Sequence, residues 1–166
     1  MHRNVNGIAR MAAMATIVLV SIACAAPQAA SDTSGITLVA EGKAQCVIVT
    51  GDLSPSEQWA VKELRTFLKE MSGAEVEAVG LDKAPASGAV IVVGEKAARA
   101  RHGDLDLDSL GDEGFVVKTA GSELIVAGSP KRGTLYGVYT LLESLGCRWW
   151  SSTESHVPRL PTIVAP

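Results

Sequence analysis

Two stretches carry residue types suited to phosphate or metal chemistry, and each misses the spacing that chemistry needs. Gly128-Ser129-Pro130-Lys131-Arg132-Gly133-Thr134 offers the glycines and cations of a phosphate loop. Such a loop sets Lys directly after its second glycine, so that the ammonium reaches the β- and γ-phosphates. Thr134 stands in that place, and Pro130 removes one of the amides the loop would use. Asp104-Leu105-Asp106-Leu107-Asp108 alternates carboxylates as calcium loops do. A calcium loop also needs glycine at its sixth position and a bidentate Glu at its twelfth; Ser109 and Phe115 fall there. A capped helix start and a solvated acidic loop are the expectations. His2, His102 and His156 are far apart, and no Cys-x-x-Cys accompanies them, so no zinc site is expected. Neither a Gly-x-Ser-x-Gly elbow nor a defensible pair of carboxylates is present. The sequence therefore assigns no catalytic residue, no metal and no cofactor.

Arg148-Trp149-Trp150 holds two of the three tryptophans. Neighbouring strand positions point to opposite faces. One ring can therefore pack inward while the other meets a partner or a sugar; the alternative is a pair wedged into the core. These three residues are the candidates for a carbohydrate or domain interface. Lys131 and Arg132 are placed in the first turn of a predicted helix, where the helix dipole disfavours cations. Either both are simply solvated, or they face an acidic partner in a ligand or a neighbouring domain.

The elements that position these residues are legible from their punctuation. Gln45–Thr50 reads as a buried strand. Ser54, Pro55 and Glu57 form a helix start with a capping box. Ala60, Leu64, Phe67, Leu68 and Met71 then fall on one helical face, and Gly73 ends the helix. Glu75–Val79 predicts a short strand, and the β-branched run Ala89–Val93 a strand covered on both faces or in mid-sheet. Phe115–Lys118 and Glu123–Ala127 predict a hairpin turning at Ala120-Gly121-Ser122. Ser129 and Pro130 predict a second helix with an apolar stripe of Leu135, Val138, Tyr139, Leu142 and Leu145, stopped by Gly146. Gly133 and Gly137 on that helix imply close approach to the sheet, since glycine costs up to ~1 kcal/mol in a helix interior. A short aromatic strand and a Pro-rich tail follow. The fold expected is α+β, a two-layer α/β sandwich of one mixed sheet and two main helices.

Composition supports one globular domain. The 166 residues are 47% hydrophobic and 20% charged with a net charge of −3, and no basic stripe suggests nucleic acid. Arg3 and Arg10 precede the apolar stretch Met11–Ala26 and then Pro27-Gln28-Ala29-Ala30. A basic region, a short apolar run and small residues describe a secretory signal. The run is shorter than the ~20 residues of a spanning helix. Ser21-Ile22-Ala23-Cys24 resembles a lipobox with Ser21 in place of the usual aliphatic residue, and Ala23-Cys24-Ala25 fits ordinary cleavage equally; Cys24 is thus a lipidation candidate. Residues 1–30 are the expected leader and 31–43 a linker. The protein is expected to be periplasmic, extracellular or lipid-anchored. Cys46 and Cys147 are expected as buried thiols, with a disulfide as the alternative.

Lys131–Trp150, reading KRGTLYGVYTLLESLGCRWW, resembles the R-G-T-L-Y-G-V-Y…L-E…L-G-x-R-W segment of bacterial polysaccharide-degradation proteins related to alpha-glucuronidases. Ala60-Val61-Lys62-Glu63-Leu64 with Ser72-Gly73-Ala74, and the strand Ala89–Gly94, are similar to the same group. That group includes the N-terminal domain of beta-hexosaminidases. The resemblance covers about Ala44–Pro161. It implies a chitobiase/beta-hexosaminidase domain 2-like domain over 44–161, with 162–166 leading toward a catalytic (β/α)-barrel whose carboxylates do the hydrolysis. Such a chain would be a non-catalytic accessory domain in xylan-like polysaccharide degradation, with the barrel, and a carbohydrate, as partners. A free-standing exported carbohydrate-binding or interaction domain is the alternative.

Overall fold

The computed structural model describes residues 35–151 and 153–166. The leader and Cys24 lie outside the described residues. Ile36–Ala40 (β1) pairs with Lys43–Ala44 (β2) and with Ile163–Ala165 (β10), forming a small antiparallel sheet. The central sheet is built from Cys46–Thr50 (β3), Ala78–Gly80 (β4), Ala89–Val93 (β5), Phe115–Ala120 (β6) and Glu123–Gly128 (β7). Its order is β4-β3-β5-β7-β6; only β6 runs antiparallel to its neighbour, so the sheet is mixed as expected. Pro55–Ser72 (α1), Glu95–Arg101 (α2) and Gly133–Ser144 (α3) are the helices. Arg148–Trp149 (β8) and Ser155–His156 (β9) form a two-stranded ribbon.

Strand side chains alternate between two apolar layers, as a period of two requires. Ile48, Ile91, Val93, Leu124 and Val126 face α1 and α3, together with Ala60, Leu64, Leu68, Val138, Leu141 and Leu142 from those helices. Val49, Val90, Val92, Ile125 and Ala127 point the other way, under Ala97 and Ala98 of α2 and Leu107. β5 is buried on both faces because it lies in the middle of the sheet.

α1 starts and stops where its sequence says. Ser54 and Glu57 form the capping box, and Gly73 ends the helix in the left-handed conformation. α3 also meets the expectation of close approach. A Cβ on Gly133 would stand 2.1 Å from the Gly114 carbonyl oxygen, and one on Gly137 would stand 3.1 Å from Val126 Cγ1 and 3.3 Å from Phe115 Cδ2.

Four expectations need correction. α3 begins at Gly133, not at Pro130. Ser129 Oγ accepts the Lys131 N–H at 3.3 Å, and Ser129 O accepts the Thr134 N–H at 3.3 Å. Residues 129–132 are therefore a turn, and Lys131 and Arg132 precede the helix. The third helix, α2, was not expected; its apolar contact is made by Ala97 and Ala98 alone, too small a stripe to register as a period. Residues read as linker include β1, whose Leu38 and Val39 are fully buried. The tail read as an exit contains β10, whose Ile163 and Ala165 return to the same core.

The end of α2 is fastened to the start of β7 by charge. The Arg101 guanidinium forks onto Glu123, and His102 Nε2 lies 2.8 Å from Glu123 Oε2. Hydrogen bonding from Arg101 holds the Glu123 carboxyl below the usual carboxylate range, against the opposing effect of burial. A depressed folded-state value stabilises the protein above the unfolded value, near ~4.3, and that stabilisation disappears as pH falls through the depressed one. Glu123→Gln is expected to cost about 1 kcal/mol near neutral pH, partial exposure keeping it below a buried pair. The melting temperatures of variant and wild type should then converge as pH falls from 7 to 3. A gap that stays constant over that range would contradict this.

Candidate interface on the outer helix face

The flank of α1 that faces α3 carries Trp59, Glu63 and Phe67 at four-residue spacing, so their side chains stack along one edge of the helix. Tyr139 of α3 reaches across and donates its hydroxyl to Glu63 Oε2 at 2.9 Å. Burial, then this hydrogen bond to a carboxylate, push the Tyr139 phenol above its ordinary value. The phenol is thus a fixed donor linking the two helices.

β8 adds to the same face. The Trp149 ring meets Phe67 edge-on at 5.3 Å and 88°, and Tyr139 at 5.2 Å and 90°. Such T-shaped pairs contribute beyond the area they bury. Trp149 is half-buried between the two helices. Trp150, its neighbour, points outward at 63% exposure, with the His156 ring of β9 tilted beside it at 6.5 Å. One tryptophan in and one out is the arrangement that strand alternation allows. Trp59 lies at the N-terminal end of the face, 49% exposed, with the Lys62 ammonium 4.4 Å from its ring centroid.

Arg148 donates through Nη1 to the Glu143 and Cys147 carbonyls, both at 2.6 Å, and so closes the end of α3. Lys131 and Arg132 do not join this face. Lys131 Nζ pairs with Asp112 at 2.6 Å and Arg132 Nη2 with Glu113 at 2.7 Å, tying the turn before α3 to the loop before β6. Cys46 and Cys147 are both buried free thiols, and burial pushes the Cys46 thiol up to about 11. Among the described residues, no group of three His, Cys, Asp or Glu side chains is placed to hold a metal ion.

The sequence pattern names Trp149 and Trp150 as candidates and does not group Trp59, Glu63 and Tyr139 with them as one surface. The 59, 63, 67 spacing was a usable signal. It was hidden because the stronger stripe through Ala60, Leu64, Leu68 and Met71 claims the helix for the core.

The sequence model of the glycosyl hydrolase family 67 N-terminus matches residues 36–141. The chain belongs to that family. The match runs from β1 through most of α3, so the family 67 N-terminal domain includes Trp59, Glu63, Phe67 and Tyr139, while Trp149 and Trp150 follow the matched segment. No curated protein matches the chain. Membership of a family's N-terminal domain implies association with a catalytic domain of the same enzyme.

Proposed function

We propose that this family 67 N-terminal domain is a non-catalytic accessory domain of an exported hydrolase of xylan-like polysaccharide, and that it holds the catalytic domain through the aromatic face ending in Trp150. The observation that carries the proposal is the contrast at β8: Trp149 is locked between Phe67 and Tyr139, while Trp150 beside it presents its ring to solvent. Large exposed aromatic side chains next to a rigid cluster are the usual anchors of a domain interface. A catalytic domain of the same enzyme is the occupant that family membership implies.

The acidic side chains support an accessory role because so many are committed to holding the fold. Glu57 caps α1, Glu123 is clamped by Arg101, Glu63 is held by Tyr139, and Glu75, Asp112 and Glu113 pair with Lys69, Lys131 and Arg132. Hydrolysis of a glycosidic bond needs two carboxyl groups free to face the sugar. The purified chain is expected to give no turnover of aryl glucuronides, aryl N-acetylhexosaminides or glucuronoxylan fragments above a heat-killed control. Turnover of any of them would overturn the non-catalytic assignment.

Export is supported by the Arg-flanked apolar run Met11–Ala26. The mass of the protein recovered from the producing cell should correspond to a chain starting at Cys24 with lipid attached, or shortly after it without lipid. A mature protein that begins at Met1 would contradict export by this route.

A further inference from the structure

The other flank of α1, turned away from α3, borders a groove of about 330 Å³. Val61 and Val76, both nearly buried, form its floor, and Lys62, Arg65 and Lys69 line it with cations on successive turns of the helix. One carboxylate, Glu75, offsets these charges, and it is taken up by Lys69, whose hydrogen bond holds the Glu75 carboxyl below its ordinary value. Among the described residues, Lys62 and Arg65 have no carboxylate partner. The groove therefore carries an excess of two positive charges.

Arg65 is already oriented. Its Nε donates to the Val76 carbonyl at 2.9 Å, which fixes the guanidinium plane and leaves both Nη groups without a protein acceptor among the described residues. A guanidinium held by one edge presents a planar pair of donors that fits a carboxylate or sulfate. Gln58 gives one amide N–H to the Leu53 carbonyl at 3.2 Å, which leaves its oxygen and its second N–H for a hydroxyl. Thr66 brings a hydroxyl to the same wall. The volume lies at the small end of ligand-sized clefts.

We propose that this groove is a binding site for an anionic saccharide, with the acidic group on Arg65, Lys62 adding charge, and sugar hydroxyls on Gln58 and Thr66. A fixed guanidinium beside groups that donate to and accept from hydroxyls suits a polyhydroxylated anion, and the surrounding protein is of a glycosyl hydrolase family. The groove adjoins the docking face where Lys62 lies over the Trp59 ring, while Arg65, Gln58 and Thr66 belong to the groove alone.

Calorimetric titration of the chain tests this with glucuronate, glucose 6-sulfate, glucose, acetate, inorganic sulfate and a short Glu-containing peptide. At least one of the two anionic sugars should bind about tenfold more tightly than glucose and than the two simple ions. Which of them binds tells a carboxylate site from a sulfate site. Arg65→Gln should weaken that binding about tenfold. Lys62→Gln, at a side chain with no hydrogen bond to the rest of the protein, should weaken it severalfold, while loss of the exposed contact with the Trp59 ring lowers the melting temperature by no more than about 3 °C. Glucose binding as tightly as the anionic sugars would overturn the proposal, and so would equal affinity for acetate or sulfate. The peptide matching the sugar would reassign the groove to an acidic protein segment. Failure of every ligand to bind, or unchanged affinity in the Lys62→Gln variant, would also overturn it.

Discussion

Glu57→Ala should destabilise the domain by about 3 kcal/mol, the sum of two charge-assisted hydrogen bonds lost in a buried place. Glu57 is only 3% exposed. Its Oε2 accepts the Ser54 N–H at 2.9 Å, which closes the capping box of α1. Its Oε1 accepts the Glu95 N–H at 2.8 Å, at the first residue of α2, and the Thr134 hydroxyl at 3.5 Å, in the first turn of α3. One carboxylate thus joins the starts of α1 and α2 beyond the carboxyl ends of β3 and β5, with the Thr134 hydroxyl of α3, which has the nearer Gly128 carbonyl at 3.3 Å, beside it. Removing it leaves the partly buried N–H groups of Ser54 and Glu95 without their acceptor, and that penalty is the larger part of the loss. Glu57→Gln keeps the shape and one acceptor oxygen, so about half the loss is expected. For a domain of this size, 3 kcal/mol corresponds to a fall of about 10 °C in Tm. Thermal unfolding of the two variants measures both; an Ala variant within 2 °C of wild type, on the order of 0.5 kcal/mol, would refute the role.

The second large effect is at β8. Trp149→Ala should cost about 3 kcal/mol, the lower end for a large aromatic truncation, because the ring is half-buried against Phe67 and Tyr139. Trp150→Ala should leave stability within about 0.5 kcal/mol of wild type, as exposed substitutions do. Denaturant unfolding of the two variants side by side checks the contrast. Equal losses would mean that both rings belong to the core, and Trp150 would then be withdrawn as an anchor.

What could be read in advance follows from how local each cause is. The α1 start, its Gly73 stop, the β6–β7 hairpin and the covered strand β5 are written in a few consecutive residues, and all are found. The capping half of Glu57 was legible for the same reason; its bond to Glu95, 38 residues away, was not. Ser129 misled because a Ser-Pro pair fits a turn as well as a helix start. Its hydroxyl bonds two residues on, as in an ST-turn, and the chain becomes helical only at Gly133. Lys131 and Arg132 looked like misplaced cations only while they were assigned to the helix. Their partners Asp112 and Glu113 are near in space and far in sequence. β1 and β10 are short strands from the two ends of the domain that become recognisable only once they pair with each other.

The domain-docking claim is tested most directly by adding a separately expressed family 67 catalytic domain of the same enzyme to the chain and measuring Kd by surface plasmon resonance. The wild-type chain should bind. Trp150→Ala should bind at least about tenfold more weakly, as truncation of an interface anchor does, while melting at the wild-type temperature. No binding by the wild-type chain, or an unchanged Kd for Trp150→Ala, would contradict the docking face.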